Sequence, residues 1–148
     1  MSATNAFETS LLQHIFQNAA IANIGDATGL PASATAGSLF VSLHTADPGE
    51  AGAQNTSEVS YTGYARQAVA RSGSGWTVSG NNVSNAASVA FGPCTSGSAT
   101  ITHFGIGTAS TGAGNLLFKG ALTTSISVTT TSNATQTFAI GALDVDVD

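Results

Sequence analysis

From Tyr61 onward the chain is cut into short pieces by turn-forming clusters: Ser72-Gly73-Ser74-Gly75, Gly80-Asn81-Asn82, Gly92-Pro93 and Ser110-Thr111-Gly112-Ala113-Gly114-Asn115. Glycine reaches positive φ without strain, asparagine and serine bond their own backbone, and proline withholds an N–H from any ladder. The segments left between them read as strands: Trp76-Thr77-Val78, Val83 to Phe91, Ala99 to Gly107, Leu116 to Leu122 and Ile126-Ser127-Val128. Tyr61 to Ala70 reads as a further strand, bent or bulged at Gly63. Many short strands at even spacing predict an all-β fold, an antiparallel β-sandwich or jelly-roll-like domain, and not a parallel α/β sheet.

Ahead of this region lies one strand with a helix before it. Leu39, Val41 and Leu43 alternate with Phe40, Ser42 and His44, and Asp47-Pro48-Gly49 stops the run. Upstream, Phe7, Leu11, Leu12, Ile15, Phe16 and Ala19 recur at three- and four-residue spacing, which predicts a helix over about residues 6–23. Asn5 and Glu8 form a capping pattern at its start, and Gly25 is the expected stop. The apolar stripe has two possible partners, its own β domain or a neighbouring subunit. Residues 26–37 and 48–60 are small and polar without period and read as loops. The expected organisation is an N-terminal helical arm and loop over 1–37 and a β-sandwich domain over 38–148, one globular unit overall. Deleting residues 1–24 is expected to leave the β domain folded and to weaken assembly.

The surface chemistry is unusual. Charged residues are 7% of the chain, against about 25% in ordinary soluble domains. Serine and threonine make up about a quarter of it. A surface wetted by hydroxyls rather than ions resists self-association poorly, so the chain is expected to live in an assembly, with itself among its partners. The formal charge is −5, and Arg66, Arg71 and Lys119 are the only basic residues besides histidine. Without a basic stripe, neither nucleic acid nor an anionic membrane is an expected partner. Cys94 is alone, which excludes an internal disulfide and a cysteine-based zinc site. No secretion signal and no membrane-length apolar run is expected. The closing run Leu143-Asp144-Val145-Asp146-Val147-Asp148 is an acidic edge or arm. Its carboxylates either discourage strand addition or meet a basic patch on a partner.

Catalytic chemistry is hard to assemble here. No Gly-x-Ser-x-Gly elbow occurs. Gly105-Ile106-Gly107 lacks the third glycine and the following helix of a nucleotide loop. His44, Asp47, Glu50 and Glu58 include metal-ligand types, but no spaced histidine pair accompanies them. Asp47 reads better as a turn former, and His103 as a packed residue. Arg66 and Arg71 can clamp a carboxylate, though two strand arginines more often face outward. No enzyme, no metal and no cofactor is expected.

Several stretches carry a family resemblance: Leu43-His44-Thr45-Ala46-Asp47-Pro48-Gly49-Glu50-Ala51-Gly52, Glu58-Val59-Ser60-Tyr61-Thr62-Gly63-Tyr64-Ala65-Arg66, Gly75-Trp76-Thr77-Val78 and Thr102-His103-Phe104-Gly105-Ile106-Gly107. With the N-terminal Asn5-Ala6-Phe7-Glu8, they resemble a family of small virion structural proteins of tailed bacteriophages. The resemblance covers nearly the whole chain. It implies a virion component made in the bacterial host cytoplasm, with no catalytic motif to carry over. Within that class, size, a β body and low charge suit a capsid decoration or cement protein. Such a protein binds the major capsid protein lattice on the capsid surface and stabilises the head by mass action and avidity. A tail or tail-fibre-associated adaptor is the alternative. A host-glycan-binding or hydrolytic β domain, with Asp47, Glu50 and Glu58 supplying carboxylates, is the alternative of another class. The expected contact surfaces are Phe7, Leu11 and Ile15 on the helix, the loop bearing Asp47, Glu50 and Glu58, and Asp144 and Asp146 in the tail.

Overall fold

The computed structural model describes residues 2–147. It contains one helix, α1 (Asn5–Gln17), followed by nine strands: β1 (Ser38–His44), β2 (Gln67–Ala70), β3 (Trp76–Ser79), β4 (Asn82–Asn85), β5 (Val89–Ala90), β6 (Ser98–Gly107), β7 (Leu116–Thr129), β8 (Thr137–Phe138) and β9 (Asp144–Asp146). They form sheets ordered β2-β1-β6-β7, β3-β4-β9 and β5-β8. The pairs β1–β6, β3–β4, β4–β9 and β6–β7 are antiparallel. This is the helix-led, antiparallel all-β architecture that the turn spacing predicts, of β-sandwich class. The chain divides into two compact units. The first gathers residues 1–38, 69–88 and 138–148, and the second residues 39–68 and 89–137.

In the first unit α1 packs on β3 and β4. Glu8, Leu12 and Phe16, four residues apart, are its buried positions. Phe16 meets Trp76 edge-on, with ring centroids 4.8 Å apart at 67°, and both are fully buried with Leu12, Val83 and Leu143. The helix is therefore part of this unit's core. It is also shorter than the 6–23 expected. Asn18 adopts the left-handed conformation and ends it, while the N–H of Ala19 reaches back to the Gln13 carbonyl. Gly25, the expected stop, lies beyond at positive φ. At the other end the cap is Thr4, not Asn5, and its side chain makes no capping bond.

Arg71 finishes the helix. Its guanidinium donates to the carbonyls of Ile15 (2.6 Å), His14 (2.6 Å) and Ala36 (3.1 Å). A cation on the last carbonyls satisfies acceptors the helix cannot and sits at the negative end of its dipole. The expected loop that follows is pinned. The Asn18 side chain exchanges two 2.9 Å bonds with the Ser33 backbone, Ile21 pairs with Leu30, and Asp26 accepts from the N–H groups of Thr28 and Gly29.

Asn85, 1% exposed, holds the C-terminal segment to the same unit. Its amide donates to the carbonyls of Ala87 (2.7 Å) and Ala139 (2.8 Å) and accepts from the Leu143 N–H (2.8 Å). β9 is thereby an edge strand on β4, not a free arm. Asn82 donates to the carboxylates of both Asp144 and Asp146. Asp148, the last acid of the predicted tail, lies outside the described residues.

In the second unit β1 is buried on both faces past Phe40, with Val41, Ser42, Leu43 and His44 all 0% exposed. The alternation legible in the sequence holds only for its first half. Three boundaries also differ from expectation. The predicted 61–70 strand is regular only over β2. The 83–91 segment splits into β4 and β5. β7 runs through to Thr129, with a register irregularity opposite Thr102. Gly63, at φ +101°, forms the expected bend, and a Cβ there would lie 2.0 Å from the Pro93 carbonyl oxygen. Only glycine fits that approach.

Candidate functional site

The sequence-selected residues of the second unit lie on the 45–60 segment that leaves β1. This segment is irregular, yet it is tied down along its length. The N–H of Thr45 bonds the Ser57 carbonyl (2.8 Å), and the N–H of Val59 returns to Leu43 (3.0 Å). Gln54, 0% exposed, donates to the Phe40 carbonyl (2.9 Å) and accepts from the Ala109 N–H (3.2 Å). Gly107 and Gly114 make room for it, since a Cβ on either would strike its amide. One buried glutamine thus fixes the 45–60 segment against the 108–115 loop.

Glu58 is placed differently from Asp47 and Glu50. Arg66 grips it through two 2.7 Å bonds, Nε to Oε1 and Nη2 to Oε2. Its remaining donors reach the carbonyls of Ala109 (2.8 Å) and Gly112 (2.6 Å). The Tyr64 hydroxyl donates to the same Glu58 oxygen at 2.7 Å and accepts from the Leu43 N–H at 3.0 Å. The Arg66 side chain is 2% exposed and that of Glu58 15%, which corrects the expectation of an outward arginine. Burial pushes the Tyr64 phenol well above its usual range, while the Glu58 carboxylate raises Arg66 further. These ionisations stay fixed across ordinary pH. Both carboxylate oxygens of Glu58 are thus engaged, by Arg66 and Tyr64. The cluster floors a concavity of about 260 Å³ rimmed by Ser110, Thr111 and Gly112.

Asp47 and Glu50 sit outside, on the surface. Asp47 accepts from the Gly49 N–H at 2.8 Å, the turn its sequence implies. Lys119 lies 3.1 Å from Asp47 and 3.0 Å from Glu50. The Gly49 N–H and Lys119 hold Asp47 below the usual carboxylate range, and Glu50 with Asp47 raises Lys119. Beside them Leu116, Leu117, Phe118 and Lys119 border a second concavity of about 280 Å³, open to solvent, and Leu117 is 41% exposed.

In the first unit, the helix face expected to make contacts is not the packed one. Phe7 is 43% exposed, and Leu11 and Ile15 are half-buried. Asp144 and Asp146 are exposed on the β9 edge. Among the described residues, no group of three or more histidine, cysteine or acidic side chains is arranged to hold a metal ion, and no helix is long and apolar enough to cross a membrane.

Sequence reasoning missed the partners. It named Glu58 without Arg66, Asp47 and Glu50 without Lys119, and passed over Gln54. The available signal was scarcity. A chain with three lysines and arginines in all spends each on the fold, at Glu58, at the end of α1 and at Asp47 with Glu50.

No curated protein matches the chain. A family model described as "Podophage GP4 fiber I protein gp80" matches it over residues 2–146. The chain therefore belongs to the podophage fiber I gp80 family, and this membership supports a structural role in a phage virion.

Proposed function

We propose that this protein is a non-enzymatic component of the podophage virion that acts as a fibre- or tail-associated adaptor. The observation that carries the reading is the match over residues 2–146 to a family whose description names a fibre protein. The geometry supports an adaptor through its stiffness. Buried polar anchors at Gln54, Glu58–Arg66 and Asn85 fix irregular segments that would otherwise be mobile. A surface fixed before binding loses little entropy when a partner docks. The contact surfaces we assign are the Asp47–Glu50–Lys119 patch, the exposed Phe7 side of α1 and the Asp144–Asp146 edge. The partners are a neighbouring virion protein and other copies of this chain.

Capsid cement is the second reading, favoured by a 7% charged composition suited to permanent burial in a lattice. It would have the major capsid protein as its partner. Immunogold labelling of intact virions tests the proposal. Gold at the tail vertex supports the adaptor, and gold over the whole shell supports cement instead. A virion made with Asp47→Asn, Glu50→Gln protein should carry less of it while the isolated variant keeps its circular dichroism spectrum. Undiminished incorporation would remove that patch from the contact surface.

A further inference from the structure

His44 is the last residue of β1, 0% exposed, and both its ring nitrogens are engaged. Nδ1 lies 2.8 Å from the Thr56 carbonyl oxygen. A carbonyl only accepts, so Nδ1 carries the proton. Nε2 of the neutral ring then accepts from the Ser42 hydroxyl at 2.9 Å. The ring therefore joins β1 to the far side of the 45–58 loop, where His44 also pairs with Glu58 through the backbone. Of the groups that tie the loop to β1, only this imidazole changes charge between neutral and mildly acid pH.

We propose that His44 is an acid-sensitive latch that holds the 45–58 loop against β1 and releases it on protonation. This goes beyond the virion reading and stands whether the chain sits on a fibre or on a shell. A second proton on the ring lands on Nε2, facing the Ser42 oxygen. The Ser42 hydroxyl must then turn its own hydrogen toward the Gly105 carbonyl, 3.4 Å away, too far for a good bond. The Gly105 backbone lies close against that side of the ring, since a Cβ on Gly105 would lie 2.7 Å from Nε2.

The charged surroundings do not rescue the cation. The Thr56 carbonyl on Nδ1 and, after it, Glu58 favour it, while Arg66 and His103 oppose it; both Glu58 oxygens are already held by Arg66 and Tyr64. Burial is the largest influence and holds the imidazole below its ordinary value of 6.5. The open loop, with its ring in water, binds the proton more readily than the closed one. The closed state is thus fully favoured above the ordinary histidine value and loses ground as pH falls through the depressed one.

Hydrogen exchange by NMR on the full chain at pH 7.5 and pH 5.0 tests the latch, with protection corrected for intrinsic exchange. The Thr45 and Val59 amides should lose protection at the lower pH, while the Ile101 and Ile106 amides hold theirs. His44→Gln keeps a donor and an acceptor without a charge, and should abolish the pH dependence. Should that variant fail to fold, the wild-type ring ¹⁵N titration decides. A midpoint below 6.5 coincident with loss of loop protection supports the latch. Unchanged loop protection at pH 5.0, or the same loss in His44→Gln, overturns it.

Discussion

Arg66 and Glu58 face each other across the Gly63 bend as a two-bond pair, with Nε–Oε1 and Nη2–Oε2 both at 2.7 Å, almost shut off from solvent. The same guanidinium closes on the Ala109 and Gly112 carbonyls. One side chain therefore sets the positions of two loops. Removing one member of a buried pair leaves its partner charged and unsatisfied, so Arg66→Met should cost about 3–5 kcal/mol. Adding Glu58→Gln to it should restore part of the loss. Urea midpoints of the two single variants and the double variant check this. A single-variant cost under about 1 kcal/mol would put the pair in the class of solvated surface contacts.

Asn85 is the corresponding anchor of the other unit. Asn85→Ala removes the partner of the Leu143 N–H and of two carbonyls. A loss of about 2–3 kcal/mol follows from stranding buried polar groups. Hydrogen exchange should show residues 139–146 opening first. Uniform destabilisation without early release of β9 would argue against the anchoring role.

The buried face of α1 makes the helix necessary to its unit. Leu12→Ala should cost about 2–5 kcal/mol. Deleting residues 1–24 should abolish the buried environment of Trp76, visible as a red shift of its fluorescence. An unshifted spectrum in the deletion variant would show that the helix is an appendage.

Gly63 tests the backbone. Gly63→Ala places a Cβ 2.0 Å from the Pro93 oxygen at a positive φ, and backbone atoms cannot rotate away. A cost of about 2 kcal/mol or more is expected, measured by thermal unfolding. Gly73, where a Cβ meets nothing within 4 Å, is the control, and Gly73→Ala should be near neutral.

What was legible in the sequence follows from range. Turn clusters act locally, so the hairpin at Gly80-Asn81 and the loop over 110–115 appear where the residues place them. The Asp47 turn is likewise a matter of two residues. The helix end was misread because Asn18 can take the left-handed conformation as glycine does, and nothing nearby marks it as the residue that will. The apolar spacing holds the buried Leu12 and Phe16, but not Glu8, an acid that turns inward beside them. Arg66, Lys119 and Leu143, which bind Glu58, Asp47 and Asn85, lie 8, 72 and 58 residues from them, and no period or motif in one chain encodes such pairings. His44 read as a strand-end residue, and only burial and its two partners give it a role.

The central claim, a fibre- or tail-associated virion component, is tested most directly by copy number per particle. Quantitative mass spectrometry of purified virions against the major capsid protein supplies it. The account predicts a low number fixed by the symmetry of a tail vertex, on the order of a dozen copies. Hundreds of copies in step with the shell protein would contradict the fibre assignment and establish cement. No copies at all would contradict the virion role itself.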